Sequence, residues 1–534
     1  MELKENKINL DQINNENEKE ELKKNGPTTL ALSLRKKKIN QMVGKNRINE
    51  EQPSDEIFGK NDYKKLSDLS KLLHEEKNIE KINEILDQLY FFLLNIKEPI
   101  STNYIDLSNL IQNLYLKIVA FKNEENLISK SFDVFDQIIR ITPSENSDKY
   151  YRIFNDQHIQ VLYELIDLYQ NNSIIAEKIF SFLAILVEKS CKLKEYLMKS
   201  PGIYLIQTLF TLDNKYPSHF IKLMASFCNL PYIYFKEVKI FELMIMEKCN
   251  KIISIFYEEN HTEPKDIINN LIIFQNIFKC LAYISQSISD EVINAFFIND
   301  KNQISFYEKI LTYSKLGLEN LSIDFLKITG NLFCSSNPAH IKNIIECKSY
   351  QFVFDILLQQ YNKKEVIELG AWGLSNFVNI SDYRNIFIKG NYINDLINVL
   401  QKNTSFQVIS EILAVILNLL DSMETSQTYS FIGTKLVQCC VELLINLKEP
   451  NLLLKVLTIV HLLLFNKDPN TYLNEYYEKS EDKLTNIFKY QFDNYGLYNI
   501  LNNIATNNKH ENVCKITKLI IDHAYPKDNN LMYD

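Results

Sequence analysis

An all-α chain of stacked helical repeats is predicted by three features of the sequence. Gly and Pro are scarce, at 11 and 12 of 534 residues, where a sheet-rich or phosphate-loop fold needs more of both for its turns. Apolar residues recur at helical spacing between short polar breaks. No Pro-, Gly- or Ser-rich linker divides the body, although 534 residues is the length of several ordinary domains. One long array of short helices satisfies all three. With 46% hydrophobic residues the chain is far too apolar to stay disordered.

Residues 1–60 are rich in Asn, Glu and Lys and hold too few large apolar side chains to fold alone, so they read as a flexible arm. Arg35, Lys36, Lys37, Lys38, Lys45 and Arg47 cluster there with no acid between them, so a total charge of −8 leaves −14 on the rest. A basic arm on an acidic body suits docking to itself or to a partner. The negative total argues against a general nucleic-acid binder. From 75 to 525 the texture changes to helices such as IEKINEILDQLYFFLLNI (79–96) and YIYFKEVKIFELMIMEKC (232–249); residues 526–534 are a tail. The N-terminus is charged from its second residue, unlike a signal peptide. The longest apolar stretch, 452–465, contains Lys455 and His461 and is shorter than the roughly 20 residues that cross a bilayer. The expectation is a soluble protein with no membrane insertion.

The body repeats itself. FLKITGNLFCSS (325–336), GAWGLSNFVNIS (370–381) and EILAVILNLLDS (411–422) each place an Asn on the same helix face, at Asn331, Asn376 and Asn418. The steps between them match the roughly 40 to 47 residues of armadillo or HEAT units. Weaker copies centre on Ile139, Ile185, Ser226 and Tyr283. Between copies, KSPGIYLIQTLF (199–210) and IKGNYINDLINVL (388–400) pair a Gly-containing turn with a further helix. The predicted unit therefore has three helices, stacked as an armadillo-type right-handed superhelical solenoid.

Catalysis would need convergent nucleophiles, acids or metal ligands. The eight His and nine Cys are dispersed, with no HExxH, CxxC, Walker A or GxGxxG pattern, so neither an enzyme, a cofactor nor a metal site is expected, and the thiols point to a reducing compartment. The recurring Asn residues are the best polar signal, and two readings stand side by side: an amide ladder that clamps the backbone of an extended peptide, or a structural ladder that bonds the neighbouring repeat. Trp372, the only Trp, lies one turn before Asn376. It is either an indole wall for the stem of a Lys or Arg or a core residue. Glu411 is either the acceptor for such a cation or a solvated surface acid.

GAWGLSNF and the Asn ladder resemble the WxxxN armadillo repeats of importin α, the nuclear-import adaptor family. Three further segments carry the resemblance in order: SLRKKKINQMVGKNRI (33–48) is similar to the importin-β-binding segment, FCNLPYIYFKEV (227–238) to a proline-containing loop after the fourth repeat, and HENVCKITKLIIDHAY (510–525) to the C-terminal repeat. The resemblance implies an adaptor that shuttles between cytoplasm and nucleus, binds basic localisation-signal peptides of cargo, and partners importin β and the export receptor that recycles it. It implies a peptide-binding set of Tyr283, Lys327 in place of a common Arg, Asn331, Trp372, Asn376, Glu411 and Asn418, whose Trp partner is replaced by Ala414. The early array departs from the pattern: Phe135 and Ile139, Ser181 and Ile185, and Lys222 and Ser226 stand where the family has Trp and Asn pairs. The arm departs too, with no Arg in residues 1–30, while Lys45 and Arg47 resemble the basic triplet that folds back as a pseudo-substrate. The run 35–47 also reads as a plain solvated or localisation segment. The alternative function is an armadillo scaffold outside transport, binding other helices or tubulin-like acidic surfaces.

Overall fold

The computed structural model describes residues 60–96, 107–141, 156–189, 194, 197, 217–228, 238–259, 264–358, 364–465 and 483–526, apart from short breaks inside these ranges. The basic residues Arg35 to Arg47, residues 1–59 of the predicted arm and residues 527–534 of the tail predicted at 526–534 lie outside them. The described residues are helical, with one isolated bridge between Asn299 and Ser305. The chain divides into two compact units, 1–295 and 296–534.

In the first unit five inner helices stack in sequence: α1 (Ile79–Leu94), α2 (Glu125–Ile141), α3 (Ser173–Lys189), α4 (Pro217–Cys228) and α5 (Leu271–Ile284), each packed on the next. Asn78 starts α1, its side chain accepting the Lys81 N–H at 3.2 Å, which satisfies an otherwise unpaired helix donor. An end helix buries one stripe, and α1 does so with Ile82, Ile85, Leu86, Leu89 and Leu93. A helix with neighbours on both sides must be apolar over most of its circumference. In α2, Leu127, Ile128, Phe132, Val134, Phe135, Ile138 and Ile139 are all buried, which leaves a narrow polar stripe.

The second unit shows the predicted three-helix period directly. Helices Pro338–Cys347 and Ser349–Leu358 lead into Lys364–Phe377, and Ser381–Lys389 and Tyr392–Lys402 lead into Phe406–Ser422. The last member of each triplet belongs to a second stack: α6 (Glu319–Leu332), α7 (Lys364–Phe377), α8 (Phe406–Ser422) and α9 (Pro450–Phe465), packed in that order. The corner between the first two helices of the 338–377 repeat is local chemistry. Asn337 caps the Ala339 N–H at 3.0 Å with Pro338 in the first helical turn, and Lys348 takes a left-handed φ of 55° to reverse the chain. Aromatic pairs fill the joints, as where Phe377 stacks on Tyr383 and Phe354 on Tyr392. Helices Leu497–Asn507 and Glu511–Ala524 pack against each other, and the second also packs on α9.

Candidate functional site

Each inner helix presents one polar stripe, and the two units use it differently. In the second unit the stripe holds the predicted Asn positions, which lie one repeat apart because the inner helices stack in register. Asn376 Nδ2 donates to the Gly330 carbonyl at 3.0 Å, and Asn418 Nδ2 donates to the Ser375 carbonyl at 3.4 Å. Gly330 and Ser375 are themselves one repeat apart, so the same inter-repeat bond is made twice. Of the two readings of the ladder, the bond to the neighbouring repeat is the one formed in this structure. Asn331 is buried as well.

Trp372 is 5% exposed. A Cβ on Gly330 would lie 2.1 Å from the Trp372 Cζ3 atom, so the indole lies against the bare Cα of the preceding repeat. Of the two readings of Trp372, its burial matches the core one: the ring does not stand free beside the groove. Of the two readings of Glu411, the solvated surface acid does not fit, because the residue is only 4% exposed. Its carboxylate accepts Gln407 Nε2 at 2.7 Å and lies 3.1 Å from the Ser375 hydroxyl, which is also 2.8 Å from the Trp372 carbonyl. The helix packing thus gathers Trp372, Asn376, Glu411 and Asn418 around Gly330 and Ser375, two residues that no motif singled out.

Glu411 belongs to a column of carboxylates at one-repeat intervals, with Asp324 and Glu368. Their partners are mostly local: Asp324 lies 3.3 Å from the Lys327 ammonium, one turn along α6, and Glu368 accepts the Ser405 hydroxyl at 2.8 Å and lies 3.7 Å from the Lys364 ammonium, one turn back along α7. Lys327 is therefore partly committed to its own helix. Tyr283 sits in the other unit, buried, with the Lys194 ammonium 4.9 Å from its ring centre.

The first unit has a comparable column of acids, but the chain's own bases occupy it. Lys130 reaches back one repeat to Asp87 at 2.6 Å, Lys178 to Asp133 at 2.5 Å, and the His219 ring to Glu177 at 3.8 Å. The positions expected to hold Trp and Asn pairs are packed or filled. Phe135, Ile139 and Ile185 are buried, Ser181 is half-buried, and Lys222 is exposed. Ser226 donates to Glu188 at 2.8 Å across the repeat boundary. The acid–base offsets of 43, 45 and 42 residues are readable in the sequence, yet a charge pattern at that separation means nothing until the stacking distance is known.

Among the described residues no cluster of His, Cys, Asp or Glu could hold a metal ion, and no helix is long and apolar enough to cross a membrane.

No family model matches the chain, and no curated protein matches it. Among solved structures it is similar to an engineered protein of the Northeast Structural Genomics Consortium, at 13% identity and a TM-score of 0.62, covering 86% of this chain and 98% of that one. It also matches a designed armadillo repeat protein in complex with the peptide (KR)4, at 16% identity, a TM-score of 0.37 and 47% and 93% coverage. A structure from work on the cadherin and β-catenin interaction matches at 10% identity, a TM-score of 0.38 and 94% and 97% coverage. The first likeness shows the fold, and the two lower scores add nothing to it. With three-helix repeats whose inner helices stack in register, the chain is an all-α helical-repeat protein of armadillo type.

Proposed function

We propose that this chain is a non-catalytic adaptor of the importin α kind, which holds extended basic segments of cargo along the late-repeat stripe and links them to importin β through the arm. The observation that carries the reading is the contrast between the two acid columns. Asp324 and Glu368 pair with lysines of their own helices, Lys327 and Lys364, and Glu411 accepts Gln407 of its own helix, whereas Asp87, Asp133 and Glu177 face bases of the next repeat. A basic peptide competes with same-helix partners in the late repeats, whereas in the early ones it must displace bases of the neighbouring repeat. The resemblance of residues 33–48 to an importin-β-binding segment supports the second half of the reading.

Titration of a labelled bipartite basic peptide onto the full chain at fixed salt tests it. Charge reversal by Glu368→Lys is expected to weaken binding by about tenfold or more, a loss of the size that one mispaired interfacial charge produces. Unchanged affinity in that variant would refute the late-groove site. Replacing Arg35 to Lys38 with Ala is expected to abolish capture of importin β. The early ion-pair ladder favours a second reading, a scaffold that has left transport; retention of a helical partner together with no importin β capture by the intact chain would support it.

A further inference from the structure

We infer that Trp372 is a latch over the late-repeat peptide site, closed in this structure and opened when an extended peptide binds. The inference rests on the peptide-binding reading above and concerns how that site is regulated. Three observations converge on Gly330. The indole occupies the space of a Gly330 side chain and is buried there. The Gly330 carbonyl takes one amide proton of Asn376. The other end of the same amide, Asn376 Oδ1, is buried and has no hydrogen-bond partner among the described residues.

An acceptor buried without a donor destabilises the state that contains it. A backbone N–H of an extended peptide is a donor of the right kind, but it has no access while the oxygen is buried. Rotating the Trp372 side chain off Gly330 opens that access. The same rotation carries the indole into the stripe, where its face can cover the stem of a basic side chain. The closed state keeps the apolar contact of Trp372 with Gly330, and the open state exchanges it for a satisfied acceptor and a peptide wall. The cost of opening lowers the apparent affinity for peptide by the fraction of molecules that are open. Gly330 therefore sets the latch, because a Cβ there would overlap the closed ring, and the closed position cannot be kept without a shift.

Because Trp372 is the only Trp, the full chain labelled with 5-fluorotryptophan reports on the latch through a single 19F resonance. The probe is a Trp-free bipartite basic peptide carrying a label for anisotropy. Saturating peptide is expected to move the resonance to a second position. Gly330→Ala without peptide is expected to move it in the same direction, and to bind peptide about tenfold tighter because the closed state no longer competes. Peptide binding by anisotropy with an unmoved resonance overturns the latch and leaves the groove reading standing. Binding by Gly330→Ala that is equal to or weaker than wild type, with the fold intact by circular dichroism, overturns it as well. Should Gly330→Ala not fold, the wild-type resonance under saturating peptide decides alone. No binding by wild type or variant removes the groove reading and the latch with it.

Discussion

The indole of Trp372 takes the place of a side chain on Gly330, with a Cβ there falling 2.1 Å from Cζ3 and 2.7 Å from the neighbouring ring carbon. Two residues 42 positions apart in the chain thus form one joint between α6 and α7. Removing the indole leaves a void at a packed repeat interface that the helices cannot fully close. Trp372→Ala is expected to lose about 3 to 5 kcal/mol of stability, read as a lowered thermal unfolding midpoint by circular dichroism. A loss smaller than about 1 kcal/mol would contradict the core role. Peptide binding lost in this variant speaks to the fold as well as to the groove, which is why Glu368→Lys carries the functional test.

The early ion pairs set a second expectation. Lys130, Lys178, Asp87 and Asp133 keep between a quarter and half of their side-chain surface, so each pair contributes little to stability, about 0 to 1 kcal/mol. Their effect is on the charge of the stripe. Lys130→Ala with Lys178→Ala is expected to leave the unfolding midpoint nearly unchanged while raising the affinity of the first unit's stripe for a basic peptide. Peptide crosslinking mapped to residues 79–189 checks it, and an unchanged crosslinking pattern would show that neutralisation is not what closes this surface.

Lys309 and Asp300 give a pH-dependent expectation. Lys309 is 1% exposed and its ammonium lies 2.8 Å from Asp300, which also accepts the Asn302 and Ile304 N–H groups in a tight turn. The Lys309 bond, and after it those backbone donors, hold the Asp300 carboxyl below its ordinary range, while burial opposes them. A carboxyl depressed in the folded state stabilises it above the ordinary carboxylate pKa, and that stability is lost as the pH falls through the folded value. Asp300→Asn is expected to destabilise the fold at neutral pH, because the buried Lys309 ammonium loses a charged partner. The variant's unfolding midpoint should also fall less than the wild type's between neutral and strongly acid pH. Parallel acid limbs would remove Asp300 from the account.

Much of the architecture was legible in the sequence because it depends on local rules. Apolar spacing marks each helix, and the registers of Asn331, Asn376 and Asn418 mark the period. The Gly390 turn marks where a further helix begins. The site was legible only as positions. Whether Asn376 faces a ligand or the Gly330 carbonyl depends on how near α6 comes to α7, a distance that no spacing along the chain encodes. The amide has the same donors and acceptor in either role.

The sequence by itself determined that the chain is all-α, that its unit is a three-helix repeat of armadillo length, and that Asn331, Asn376 and Asn418 share one helix face. Only the tertiary structure decided that Trp372 and Glu411 are buried, that the Asn376 and Asn418 amides bond the preceding repeat, and that the early acids are paired with bases of the next repeat. The reason is physical. Helix identity follows from the backbone and neighbours within a turn, whereas burial and pairing follow from the approach of helices some forty residues apart, where one missing Cβ, at Gly330, changes which atoms touch.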